Sequence, residues 1–138
     1  MLLQKFYKNF KTELMFENYL CMDIYKKHMV ALTRFRCVNH NLAVEKDRYE
    51  NIKKEERLCK FCKSVNNENL IEDEIHFLLV CPLYSKLRED YLNEYVNRST
   101  DLINCFNYLM SCKNVDRIKN VAAFIYHAQC TRFSYFSQ

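Results

Sequence analysis

LCKFCKSVNNENLIEDEIHFLLVCP, residues 58–82, loses all helical apolar spacing in its first half and regains it in its second. Four of its residues form one pattern. Cys59 and Cys62 are separated by two residues, Cys62 and His76 by thirteen, and His76 and Cys81 by four. A two-residue gap lets one tight knuckle aim two thiolates at a single ion, with backbone amides softening the sulfur charge. The long polar gap, with Val65-Asn66-Asn67-Glu68-Asn69 at its centre, reads as the loop that closes the site. His76 and Cys81 return on a helix. Five α-helical positions turn through about 140°, which sends the two side chains to different faces, so a break is expected between Val80 and Pro82. Three soft thiolates and one imidazole suit Zn²⁺ in a closed tetrahedral site. No position is left for water, so such a zinc is structural. Arg57, Lys60 and Lys63 flank it to offset the excess negative charge and lower the thiol pKa values. The competing readings are ordinary buried cysteines and a redox CxxC, and the latter fits poorly because no strand precedes it.

Outward from this stretch the apolar spacing is helical almost throughout. Leu3, Phe6, Phe10 and Leu14 recur at three and four, then Ile24, His28, Ala31, Leu32 and Phe35. Asn39-His40-Asn41 reads as a helix stop, and one further turn is expected around Leu42 to Arg48. Pro82 suits the first turn of a helix that carries Leu83, Leu87, Tyr91 and Tyr95 on one face. Ser99-Thr100-Asp101 can cap the next helix, carrying Leu102, Phe106 and Leu109. Asn114 can cap the last, carrying Ile118, Val121, Ala122, Ile125 and Gln129. The expected fold is mostly α: one domain over residues 1–138, a small bundle of five or six helices, stapled by a CCHC zinc knuckle over residues 57–82.

Composition agrees. A chain of 138 residues holds one ordinary domain. It has no glycine and one proline. Tight hairpins, Walker loops, dinucleotide fingerprints and nucleophile elbows rely on glycine for φ > 0, so these are disfavoured. Asn, with 14 copies, is the expected stand-in at left-handed positions. No segment approaches the length of a membrane span. Met1 to Phe10 lacks an apolar signal core, so an intracellular protein, nuclear or cytoplasmic, is expected, and the Asn97-Arg98-Ser99 sequon reads as chance. In that setting eight cysteines read as metal ligands or small core residues rather than a disulfide scaffold. Cys21, Cys37 and Cys130, set among apolar residues, are expected in the core.

The net charge of +4 is uneven: residues 25–63 carry +6 and residues 64–112 carry −5. The basic block interleaves aromatics, as in Thr33-Arg34-Phe35-Arg36 and Lys46-Asp47-Arg48-Tyr49. A nucleic-acid surface and a solvated helix face are both consistent with it. On the first reading Lys26, Lys27, Arg34, Arg36, Lys53, Lys54, Lys60 and Lys63 contact phosphates. Glu72-Asp73-Glu74 reads as favourable charge at a helix N-terminus rather than a metal-binding cluster. His40 reads as a solvent-facing helix-end histidine ahead of a network with Glu45 and Arg48. Cys105, Cys112 and His127 lack the spacing of a second site. No nucleophile–base pair or paired acid points to catalysis.

Beyond the metal pattern, Ala31-Leu32-Thr33-Arg34-Phe35-Arg36, residues 40–45, Arg48-Tyr49, residues 56–62, residues 72–84 and Ala123-Phe124-Ile125-Tyr126 line up along the chain. Over about residues 12–128 this string resembles the zinc-binding segment downstream of the reverse-transcriptase core in LINE-type (non-LTR) retrotransposon polyproteins. The resemblance implies that Cys59, Cys62, His76 and Cys81 are zinc ligands. It also implies contact with RNA or DNA during element replication, beside the rest of that machinery. Polymerase aspartates and an endonuclease domain are absent from the sequence, so the chain reads as a detached C-terminal piece. The alternative is a helical protein-interaction or scaffold fragment whose zinc is structural only.

Overall fold

A computed structural model of the chain describes residues 17–96 and 101–138. The expected helix of Leu3 to Leu14, the sequon and the Ser99-Thr100 part of the cap lie outside them. Among the described residues the fold is helical, with no strand and one isolated antiparallel bridge, Leu58 to Ile71. Helix α1 spans Lys26–Arg36, α2 Ala43–Tyr49 and α3 Lys60–Asn66. A π-helical turn at His76–Val80 and a 3-10 turn at Pro82–Tyr84 lead into α4, Ser85–Tyr91. Then come α5 (Asn93–Val96), α6 (Leu102–Ser111) and α7 (Val115–Phe136).

The 22-residue α7 is the spine, about 33 Å long at 1.5 Å per residue. Asn114 starts it as expected, its Oδ1 accepting the Arg117 N–H at 3.1 Å. Asp101 does the same for α6, accepting from the Ile103 and Asn104 amides at 2.9 and 3.3 Å. Helix α1 lies along α7, and α4 packs on α7 beyond it. The predicted inward faces hold for Ala31, Leu32 and Phe35 and for Ile118, Val121, Ala122 and Ile125. On α6 Phe106 and Leu109 are buried as expected, joined by Cys105 and Met110, whereas Leu102 is exposed. At the centre Phe77 meets Phe35, Tyr84 and Phe124 at ring distances of 5.6, 4.9 and 6.1 Å. All four rings are buried, and each aromatic pair adds about 0.5–1.5 kcal/mol beyond its area.

A chain without glycine still has to end its helices. Helix α2 ends with Asn51 at φ 58°, its N–H donating to the Arg48 carbonyl and the Ile52 N–H to the Asp47 carbonyl. Helix α3 ends at Asn67, φ 55°. Asn therefore takes the left-handed position twice, as expected. Helix α1 makes the same paired closure, Val38 to Phe35 and Asn39 to Arg34, on a valine at φ 56°. A Cβ at that conformation costs about 1–2 kcal/mol.

Candidate metal centre

Residues 60–66 form a helix where a loop was expected. They show no apolar period because little of this helix faces a core: Cys62 is buried, Phe61 is half-buried against Tyr135 of α7 at 5.1 Å, and the rest is exposed. Cys59 stands just before α3 and Cys62 in its first turn, so the two-residue gap is a helical turn. The polar stretch 63–69 is closed by a clasp that periodicity does not reveal. The Cys59 N–H donates to the Leu70 carbonyl at 2.8 Å, and the Glu72 N–H donates to the Arg57 carbonyl at 3.0 Å, around the Leu58–Ile71 bridge.

The π turn resolves the five-residue problem. Its i→i+5 bond runs from the Cys81 N–H to the His76 carbonyl at 2.8 Å, so one ligand closes its turn on the other. An i→i+5 turn is wider than an α-turn and brings residues five apart closer to one face than an α-helix does. The expected break follows at once: Cys81 has φ −57° and ψ 123°, and Pro82 begins the next turn. Asp73 starts the segment, its Oδ1 accepting the His76 N–H at 2.8 Å. Phe77, next to the histidine, plugs into the aromatic core.

These elements bring Cys59, Cys62, His76 and Cys81 together, all buried, with one ligand atom of each within 4.8 Å of the others. Cys59 and Cys62 each lie 3.9 Å from the Cys81 sulfur, and Cys62 Sγ is 3.4 Å from His76 Nε2. Tetrahedral ligation at about 2.3 Å for sulfur and about 2.0 Å for nitrogen sets S···S near about 3.8 Å and S···N near about 3.5 Å. The cluster fits one metal ion. Without a cation three such thiols cannot all ionise. The Cys81 thiol, donating to the Cys59 sulfur, holds Cys59 down at about 3 against the cost of burial. Burial and the Cys59 charge push Cys62 up to about 11. Donation to Cys59, then burial, pushes Cys81 up. Backbone N–H groups of Cys62 and Leu83 favour thiolate at Cys59 and Cys81, the amide softening that was expected. A metal ion bound here would therefore release protons from the other two thiols.

The surroundings differ from the sequence expectation. Arg57 donates to the Ile52 and Val44 carbonyls, each at 2.9 Å, and holds the backbone. Lys60 and Lys63 are exposed. The cation closest in structure to Cys81 is Arg88 of α4, which donates to the Cys81 and Leu78 carbonyls at the end of the π turn. Glu72 is buried: its Oε2 accepts the Ala43 N–H at 2.7 Å, and its two oxygens take Arg132 of α7 at 2.7 and 2.8 Å. His40 is neither exposed nor joined to Glu45 and Arg48. Its side chain is buried, and Nε2 meets Glu74 Oε1 at 2.9 Å, while Arg48 pairs with Glu45. Of the acidic triplet only Asp73 behaves as the N-terminal charge expected. Glu72 and Glu74 are the partners of cation and histidine from distant segments, a pairing with no local sequence signal.

The proposed phosphate contacts divide. Lys26, Lys27 and Arg34 are exposed on α1, Lys53 and Lys54 on the segment before the clasp, and Lys60 and Lys63 on α3. Arg36 is corrected: it is 6% exposed and bound to Glu17 at 3.2 and 3.4 Å, over the Tyr19 ring. Position 36 follows the same helical face as Leu32, which turns it inward. Cys21, Cys37 and Cys130 are exposed, not core. The first two lie where a helical turn ends and the chain swings outward, and Cys130 is on the outer face of α7. Among the described residues, the four-ligand cluster is the one group of three or more His, Cys, Asp or Glu that could hold a metal. No helix there is long and apolar enough to cross a membrane. No family model, curated protein or solved structure matches the chain.

Proposed function

We propose that the chain is a zinc-stabilised nucleic-acid-binding module, non-catalytic in itself, of the kind found C-terminal to the reverse transcriptase of LINE-type retrotransposons. The observation that carries this reading is the closed Cys₃His cluster with exposed cations on the helix that leaves it. Three thiolates and an imidazole select Zn²⁺ over harder ions. Four protein ligands leave no position for a reacting water, so the metal orders residues 57–82 and does no chemistry. Phosphate contacts then fall to exposed lysines and arginine: Lys26, Lys27, Arg34, Lys53, Lys54, Lys60 and Lys63. Such contacts position the chain without reading bases, so sequence preference is weak.

The test joins metal analysis to a salt titration of RNA and DNA binding by the zinc-loaded protein. Binding should fall with salt at a log–log slope of about −0.7 per contact on single strands and about −0.9 on duplex. A zinc-loaded protein that retains neither RNA nor DNA at low salt is a scaffold instead.

A further inference from the structure

Helices α1 and α7 run side by side in the same direction, and their facing stripes leave a groove. Positions 27, 30 and 34 of α1 face positions 126, 129 and 133 of α7, at the i, i+3, i+7 spacing of one helix face. The groove has two lobes that share Arg34 and Gln129. One, of about 660 Å³, is lined by Tyr25, Lys26, Lys27, Val30, Ala31 and Tyr126 beside the shared pair. The other, of about 320 Å³, is polar and runs past Asn39 to Arg132 and Phe133. No carboxylate lines either lobe.

Cations and aromatic rings alternate along it. Tyr25 is 68% exposed at one end and Phe133 74% exposed at the other. Between them Lys27 Nζ is held over two rings, 5.0 Å from the Tyr25 centroid and 4.7 Å from that of Tyr126. Both rings attract the ammonium of Lys27, which is exposed. Arg34 makes no ion pair among the described residues, although it lies between an acid-bound Arg36 and an acid-bound Arg132. Two large exposed rings thus flank cations that make no ion pair among the described residues, and neither ring belongs to the buried core.

We propose that the α1–α7 groove binds single-stranded nucleic acid, with bases stacked on Tyr25 and Phe133 and backbone phosphates on Lys27 and Arg34. The inference deepens the nucleic-acid reading above and rests on it. Duplex presents no free base faces, whereas every unpaired base has one, so ring platforms beside cations select single strands. The cations of α3 and of Lys53 and Lys54 lie outside this groove and contribute charge alone.

The experiment uses zinc-loaded protein, a labelled oligouridylate and an RNA duplex of equal length at low salt. Wild type should prefer the single strand. Tyr25→Ala and Phe133→Ala should each weaken oligouridylate binding about fivefold or more, with salt slope and melting temperature unchanged. Arg34→Gln should lower the slope by about 0.7. Lys60→Gln with Lys63→Gln should affect both probes equally. Oligouridylate binding that survives both ring variants, or duplex bound as tightly by wild type, overturns the groove assignment and leaves the general nucleic-acid reading standing. Failure of wild type to bind either probe removes both. A dimer that Tyr25→Ala dissociates assigns the groove to a second copy and overturns the proposal.

Discussion

Glu72→Gln removes one charge and almost no volume from the point where three segments meet. The carboxylate accepts the first amide of α2, grips Arg132 of α7 with both oxygens, and continues the clasp below the metal centre through its own backbone. A glutamine retains one acceptor oxygen. Its NH₂ must then face either the Ala43 N–H or an Arg132 N–H, donor against donor. Breaking a buried ion pair from one side costs about 3–5 kcal/mol. The Arg132 side chain is 18% exposed, so water recovers part of its hydration and the lower end, about 3 kcal/mol, applies. With a urea m-value of about 2 kcal/mol/M, the unfolding midpoint of the zinc-loaded protein should fall by about 1.5 M. Adding Arg132→Met to Glu72→Gln removes the stranded cation and should restore at least about 1 kcal/mol, a non-additivity that isolates the pair. A single-variant loss below about 1 kcal/mol, or strict additivity, would refute the argument that this pair ties α7 to the loop that carries the Cys/His cluster.

Purified protein should carry about one zinc per chain by elemental analysis, and Cys62→Ala should lose it. In that variant limited proteolysis should open near Lys60, while the helical signal of α6 and α7 persists; unchanged protection at Lys60 counts against metal-dependent order. Val38→Asn should raise stability by about 1 kcal/mol in urea unfolding, since Asn tolerates the left-handed conformation that valine resists; no gain would mean the valine side chain offsets its own strain. Burial, then the charges of His127 and Lys27, lowers the His28 pKa below 6.5. Between the lowered value and 6.5 the unfolded chain holds the extra proton, so this contribution is complete above 6.5 and fades as pH falls below it. The stability difference between wild type and His28→Gln should therefore shrink from pH about 7.5 to about 5.5, and parallel profiles would contradict the shift.

The helical bundle and the gathering of Cys59, Cys62, His76 and Cys81 were legible because their signals are local. Apolar spacing marks α1 and α7, Asp101 and Asn114 mark two helix starts, and the cysteine and histidine intervals mark the cluster. Helix α3 left no trace because the buried Cys62, part of the Cys/His cluster, and the half-buried Phe61 stand where an apolar face would give a period. The charge of Arg36 argues for exposure, whereas its position on α1 buries it beside Glu17. His40–Glu74 and Glu72–Arg132 span 34 and 60 residues, and nothing in the composition of either neighbourhood announces a partner so far along the chain. The asparagine-for-glycine expectation held at Asn51 and Asn67 and failed at Val38, where the closing hydrogen bonds outweigh the torsional cost.

The widened turn between His76 and Cys81 also acts as a phase offset. Both ligands would still share a face if one residue were deleted there, since residues four apart align on an ordinary α-turn. A metal site alone has no need of the extra residue. What it sets is the rotation, by about 100° per residue, of everything that follows: Tyr84 against Phe77, Arg88 onto the freed carbonyls, and α4 onto the spine. Deleting Leu79 would thus separate two properties that look inseparable, keeping a competent ligand set while turning the downstream half of the bundle out of register. The length of this short segment is the gear that meshes a unit built on a Cys/His cluster with an oil-centred one.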